Sequence, residues 1–104
     1  MARKTLRHPD IPPVHPGELL REDVIPATGK SKVEIANLLG ISRQTLYDIL
    51  GERQAVSPAI AVRLGKLFGN GPELWLNMQQ AFDLWHVERE LKEELDAMPT
   101  LTAA

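Results

Sequence analysis

The stretch EIANLLGISRQTLYDILG, Glu34 to Gly51, holds two apolar-periodic segments joined at a glycine. Ile35, Ala36, Leu38 and Leu39 lie at helical spacing before Gly40, and Leu46, Ile49 and Leu50 do so after it. That periodicity predicts two short helices. Two helices that cross steeply over a three-residue turn need a small residue where the backbones approach, a glycine for the turn and apolar residues at the shared contact. Ile35, Ala36, Leu39, Gly40, Ile41, Leu46 and Ile49 meet those needs together. A plain helical hairpin would satisfy some of these positions; seven at once favour a helix-turn-helix.

Outward from this stretch the chain reads as further helices. Ser31 and Glu34 form a capping box for the first helix of the pair, and Ser42 caps the second, which Gly51 is expected to end. Upstream, a helix is predicted from about Pro16 to Val24, with proline in its first turn and Pro26 as its stop. Downstream, Ser57-Pro58 opens a helix that buries Ile60, Ala61, Leu64 and Leu67 and stops at Gly69. Another starts at Gly71-Pro72 and runs to about Ala97, before Pro99. No stretch alternates with period two, so the class is all-α, with five helices.

The 104 residues suit one domain with tails. We expect a proline-rich basic arm over 1–14, a helix-turn-helix domain over 15–70, a C-terminal pairing helix over 71–98 and a tail over 99–104. The absence of cysteine excludes disulfides, thiol nucleophiles and cysteine-based zinc sites. With no apolar run of membrane length and no export signal, a cytoplasmic location and no membrane partner are expected. The net charge of -2 conceals a segregation. Residues 28–66 carry six basic side chains against three acidic, whereas 67–104 carry Arg89 and Lys92 against seven acidic ones. The predicted helix-turn-helix therefore lies in a locally basic segment of an acidic chain.

The chain resembles the Xre/Cro-type (lambda repressor-like) helix-turn-helix proteins, and more closely the HigA antitoxins of HigBA toxin–antitoxin modules. The resemblance rests on HPGELLRE (His15 to Glu22), EIANLLGISRQTLYDIL (Glu34 to Leu50), VSPAIAVRLGKLFGNGPELWLNMQ (Val56 to Gln79) and DLW (Asp83 to Trp85). It implies a homodimer that binds double-stranded operator DNA, represses its own operon and neutralises a HigB/RelE-type mRNA endonuclease by direct binding. Family members commonly carry Asn-Gly-Arg after the second helix of the motif, where this chain has Gly51-Glu52-Arg53. That departure shortens the helix and sets the charge of Glu52 where a phosphate would pass.

In this motif the N-terminal half of the second helix enters the major groove. Arg43, Gln44, Thr45 and Tyr47 are thereby candidate base readers: Arg43 suits guanine O6 and N7, Gln44 suits adenine N6 and N7, and the Thr45 methyl suits thymine. Lys30, Ser31, Lys32, Ser42 and Arg53 are candidate phosphate contacts, the first three at a helix N-terminus. Asp48, one turn beyond Gln44, could accept from a cytosine amine or hold Arg43 or Gln44 in place. Farther on, Leu74, Trp75, Met78, Phe82 and Trp85 suit the core, while Leu84, Val87, Leu91, Leu95 and Met98 form a second stripe that extends past it. The second stripe is a candidate dimerisation surface.

Other chemistry finds little support. Gly29-Lys30-Ser31 lacks the upstream glycine and strand of a phosphate-binding loop. His86 and Glu90 are one turn apart but have no third metal ligand. With no nucleophile–base pair in context, neither an enzyme nor a cofactor is expected. Two alternatives to the antitoxin reading are a solitary Xre-type regulator without a toxin and a helical interaction module that does not bind DNA.

Overall fold

The computed structural model describes residues 11–102, and within them every regular element is helical. The expected N-terminal arm lies largely outside these residues. The first helix, α1, spans residues 16–28 in three continuous segments: Pro16–Leu19, a wider π-helical turn Leu20–Val24, and Ile25–Thr28. Pro26 was expected to stop it and does not. Proline removes a donor and crowds the preceding turn. The wide turn just upstream, in which the Ile25 amide bonds Leu20 carbonyl, accommodates the ring. The stop comes instead at Gly29, in the left-handed conformation with φ 72°.

The remaining helices are α2 (Lys32–Leu39), α3 (Arg43–Leu50), α4 (Pro58–Phe68), α5 (Pro72–Glu90) and α6 (Lys92–Ala97). Ser31 and Glu34 form the expected box on α2, each side chain meeting the other's backbone amide at 3.1 and 2.9 Å. Ser42 caps α3 through the Thr45 amide, and Ser57 caps α4 through the Ile60 amide. The expected single C-terminal helix is interrupted at Leu91 (φ -98°, ψ 10°), which ends α5 and precedes α6.

A core of Leu20, Ile25, Ile35, Ala36, Leu39, Leu46, Ile49, Leu50, Val56, Ile60, Ala61, Leu64 and Trp75 draws on α1 to α5. Ala36 and Trp75 are both fully buried. Leu74, expected in the core, is 40% exposed. Gln79 takes a buried place on α5 instead, its side-chain oxygen accepting from the Val56 amide at 2.8 Å and its nitrogen donating to Asp83 at 3.0 Å. A buried amide that loses such partners would incur a desolvation cost, so this bond ties the loop before α4 to α5. Beyond Phe82 the α5–α6 arm leaves the core, and the molecule extends 53 × 31 × 27 Å.

The start of α1 is fixed against α3. His15 is buried and caps α1, its Nδ1 accepting from the Gly17 amide at 2.9 Å, while its ring meets Phe82 edge-on with centroids 4.8 Å apart. Gly17 lies so close to the Ile49 backbone that a Cβ there would overlap the Ile49 carbonyl. The partner is backbone and cannot swing aside, so Gly17→Ala is expected to lower unfolding free energy by about 2–3 kcal/mol, measured by urea denaturation.

Burial holds the His15 imidazole below the ordinary value of 6.5; Glu52 and Asp83 pull it back upward, and Arg21 adds to the lowering. The unfolded chain thus binds the proton more readily as pH falls below that ordinary value. Stability should fall progressively from there downward. His15→Asn retains a capping oxygen without the titration, so its melting temperature should vary less between pH 7.5 and 5.5 than the wild type's.

Candidate nucleic-acid interface

The α2–α3 turn is closed by backbone bonds, the Gly40 amide to Asn37 carbonyl and the Ile41 amide to Ala36 carbonyl, each 3.1 Å. Gly40 has φ 73°, where a side chain would be strained. From α4, the Arg63 guanidinium donates to Leu39 carbonyl at 2.8 Å, satisfying a helix-end acceptor. Sequence reading gave Arg63 no role, because a long-range side-chain cap leaves no local pattern.

On α3, Leu46, Ile49 and Leu50 are buried, whereas Arg43, Gln44 and Tyr47 are exposed. Thr45 is half-buried, and its hydroxyl accepts from Ser42 Oγ at 2.9 Å. Ser42 also accepts from the Thr45 amide at 3.0 Å, so the capping role occupies its hydroxyl. Arg43, Gln44 and Tyr47 thus form an exposed row of polar and aromatic groups on the helix, held in place by the buried row behind it.

Lys30, Ser31 and Lys32 are exposed at the start of α2. They line a recess with Arg21, Ile25, Pro26, Val33 and Tyr47, which brings Tyr47 beside the α2 N-terminus. Helical spacing within α3 alone could not show that juxtaposition. The Ser31 hydroxyl and amide are both engaged by Glu34, and the bond from the Ser31 backbone amide is the main cause lowering the Glu34 pKa. Any anion reaching this end would therefore meet the lysines and the remaining first-turn amides.

Gly51 ends α3 as expected, and the unusual backbone comes one residue later. Gly51 has an ordinary φ of -85°, and the left-handed residue is Glu52, with φ 62°. The glycine of the family's Asn-Gly-Arg would stand at 52, which accounts for the family pattern in backbone terms. Glu52 turns toward α1, where its carboxylate meets Arg21 at 3.5 Å; the same guanidinium nitrogen donates to Leu50 carbonyl at 2.6 Å. Arg53 folds back onto Asp48, its Nη2 and Nε lying 3.1 and 3.3 Å from Oδ1, and keeps 64% of its side chain exposed. Asp48 also accepts from Gln44 Nε2 at 2.8 Å. The i, i+4 spacing of Gln44 and Asp48 was a readable signal; the arrival of Arg53 at the same oxygen was not.

The five residues of the second apolar stripe are all exposed, from 38% at Leu91 to 62% at Met98. They span the interruption between α5 and α6. Nearby, Arg89 lies over the Trp85 ring at 3.6 Å and the Trp85 ring meets His86 edge-on, which keeps the half-buried Trp85 inside a polar surround.

No family model matches the chain. Individual relatives do. The antitoxin HigA-1 of Vibrio cholerae is 34% identical over 92 residues, covering 88% of this chain and 83% of its own. Virulence-associated protein I of Dichelobacter nodosus is 34% identical over 95 residues, 91% of this chain and 88% of its own. Among solved structures, antitoxin GraA in complex with its operator is 38% identical with a TM-score of 0.82, covering 95% of this chain and 100% of that one. The chain belongs to the HigA antitoxin family. Pseudomonas aeruginosa antitoxin HigA with its higBA promoter is 28% identical, TM-score 0.81, over 86% and 99% of the two chains. One of these two structures holds an operator and the other a promoter, and both share this helical arrangement.

The left-handed Glu52 is a measurable oddity of this family member. A non-glycine residue there costs on the order of 1–2 kcal/mol, against a partly exposed ion pair that contributes less than about 1 kcal/mol. Glu52→Gly is therefore expected to raise unfolding free energy by roughly 0.5–1 kcal/mol in urea, and a destabilised variant would show that the Arg21 contact outweighs the backbone strain.

Proposed function

We propose that this protein is the antitoxin of a HigBA-type module: it binds double-stranded operator DNA as a homodimer, represses its own operon and neutralises a HigB/RelE-type endonuclease by direct binding. The observation that carries the DNA-binding reading is the match to operator-bound GraA over nearly the whole chain, together with a recognition helix whose outer face offers Arg43, Gln44 and Tyr47. In this reading those residues and Thr45 meet base edges, while Lys30, Lys32 and Arg53 meet phosphates, with Ser31 and Ser42 placing the two helix starts. We read the role as one of binding, in keeping with relatives named as antitoxins and HTH-type regulators.

Dimerisation is assigned to Leu84, Val87, Leu91, Leu95 and Met98, whose exposed stripe covers the arm beyond the core. A dimer also answers the charge problem, since two copies double the basic contacts that one short segment can provide. No helix among the described residues is long and apolar enough to cross a membrane. A solitary regulator remains the second reading, favoured by relatives such as the HTH-type transcriptional regulator YbaQ of Escherichia coli, 31% identical over 91 residues.

Three measurements test the proposal. Arg43→Ala combined with Gln44→Ala should weaken operator binding at least ~30-fold by fluorescence anisotropy, two base contacts each contributing about 1–3 kcal/mol. The same variant should still rescue growth when co-expressed with the adjacent toxin gene; retained operator binding would refute the recognition-helix assignment. Val87→Asp with Leu91→Asp should shift the sedimentation coefficient from dimer to monomer, and an unchanged value would place the pairing surface elsewhere.

A further inference from the structure

We propose that Asp48 is a positioning residue that sets which base Gln44 reads, an inference that rests on the DNA-binding reading above. Asp48 lies on α3 between the recognition face and the turn that follows. Its Oδ1 accepts from Gln44 Nε2 at 2.8 Å, from Arg53 Nη2 at 3.1 Å and from Arg53 Nε at 3.3 Å. Three donors thus converge on Oδ1, which ties the carboxylate to Gln44 and Arg53; a direct contact from Oδ2 to a cytosine amine is the competing role that the test below separates from positioning.

A carboxylate accepts and cannot donate, so the Gln44 side chain must turn its NH2 toward Asp48. The amide is then held in one of its two flips. It presents its oxygen and its second N–H outward, an acceptor beside a donor. Adenine offers the complement in the major groove, the N6 amine as donor and N7 as acceptor. Guanine offers two acceptors, O6 and N7, and the fixed Gln44 oxygen would face O6 without a proton between them. An unrestrained glutamine escapes that conflict by turning its NH2 to the base and donating one hydrogen to O6 and the other to N7; the Asp48 bond opposes this by holding one of the two hydrogens. Arg53 contributes by charge. Its guanidinium, held on the same oxygen, offsets the carboxylate so that Asp48 can stand close to the DNA backbone.

The arrangement predicts that removing the carboxylate changes specificity in one direction and affinity in the other. Asp48→Asn keeps the size but can donate as well as accept, so it tolerates both flips. The loss of a negative charge beside the proposed phosphate contacts should raise affinity for DNA in general. A purely structural role would lower affinity at every sequence alike.

The test measures binding of the full chain to a set of duplexes carrying every single base-pair change in its operator. The wild type, Gln44→Ala, Asp48→Asn and Asp48→Ala are compared at one salt concentration, with melting curves to show that each is folded. The base pair read by Gln44 is the one whose preference Gln44→Ala loses. At that position the wild type should favour adenine over guanine by at least about tenfold, and both Asp48 variants should favour it by less than about threefold while binding random duplexes as tightly or more tightly. The inference is overturned alone if the wild type binds and the Asp48 variants keep full discrimination, if no position depends on Gln44, or if the Asp48 variants lose a cytosine preference instead. A wild type that binds no duplex sequence-specifically overturns the DNA-binding reading itself, and this inference with it.

Discussion

The contact on which the arrangement depends is the close approach of Gly17 to the Ile49 carbonyl. It sets the start of α1 directly on the backbone of the recognition helix, with no side chain in between. The His15 cap and the Pro16 ring fix that start in direction, since one satisfies the Gly17 amide and the other presets the helical φ. Farther along α1, Arg21 donates to the adjacent Leu50 carbonyl. Helix α3 is therefore held from α1 at two successive points near its C-terminal end. Its outer face can present Arg43 and Gln44 without those residues carrying any share of the packing.

The same economy appears on the other side of the motif. Arg63 caps α2 from α4, and Gly65 lies so near the Gly71–Pro72 backbone that a Cβ would overlap it. Two helix pairs thus meet through glycine at backbone range, α1 with α3 and α4 with the start of α5. Short helices gain little stability by themselves. Close approach lets small side chains and peptide groups pack at interior density, which a domain with so few large residues requires.

What could be read from the sequence followed the range of the interaction. Helix starts were legible at Pro16, Ser31, Ser42, Ser57 and Pro72, because a cap and its amide are three residues apart or fewer. The core positions from Ile35 to Leu64 followed from periodicity. Errors arose where a distant element decided the outcome or where two local rules competed. Pro26 was read as a stop because the wide turn that admits it leaves no residue signature. The left-handed backbone of Glu52 was not legible, since glycine is the default residue there and the Arg21 partner of Glu52 lies thirty-one residues away. Leu74 was assigned to the core by hydrophobicity, whereas α5 buries the polar Gln79 for the sake of a loop amide. For the candidate site, the exposed row on α3 was legible from the motif. The recess joining Tyr47 to Lys30, Ser31 and Lys32 was not, because it belongs to the fold and not to either helix.

The segregated charge acquires a sharper meaning once its members are placed. The basic segment from 28 to 66 has six cations, but Arg63 is committed to Leu39 carbonyl and Arg53 is shared with Asp48. Lys30, Lys32, Arg43 and Lys66 are exposed. A chain that offers so few phosphate contacts gains little from counterion release, each contact contributing only about 0.9 to the salt slope. In the proposed function, affinity must then come from doubling the surface and from base contacts of fixed geometry. The acidic arm from Asp83 onward fits that requirement, for its apolar stripe is exposed beyond the core. Pairing through the arm would join two basic faces while leaving the carboxylates outside, whereas acid spread evenly over the chain would cancel the few cations at the place they are needed.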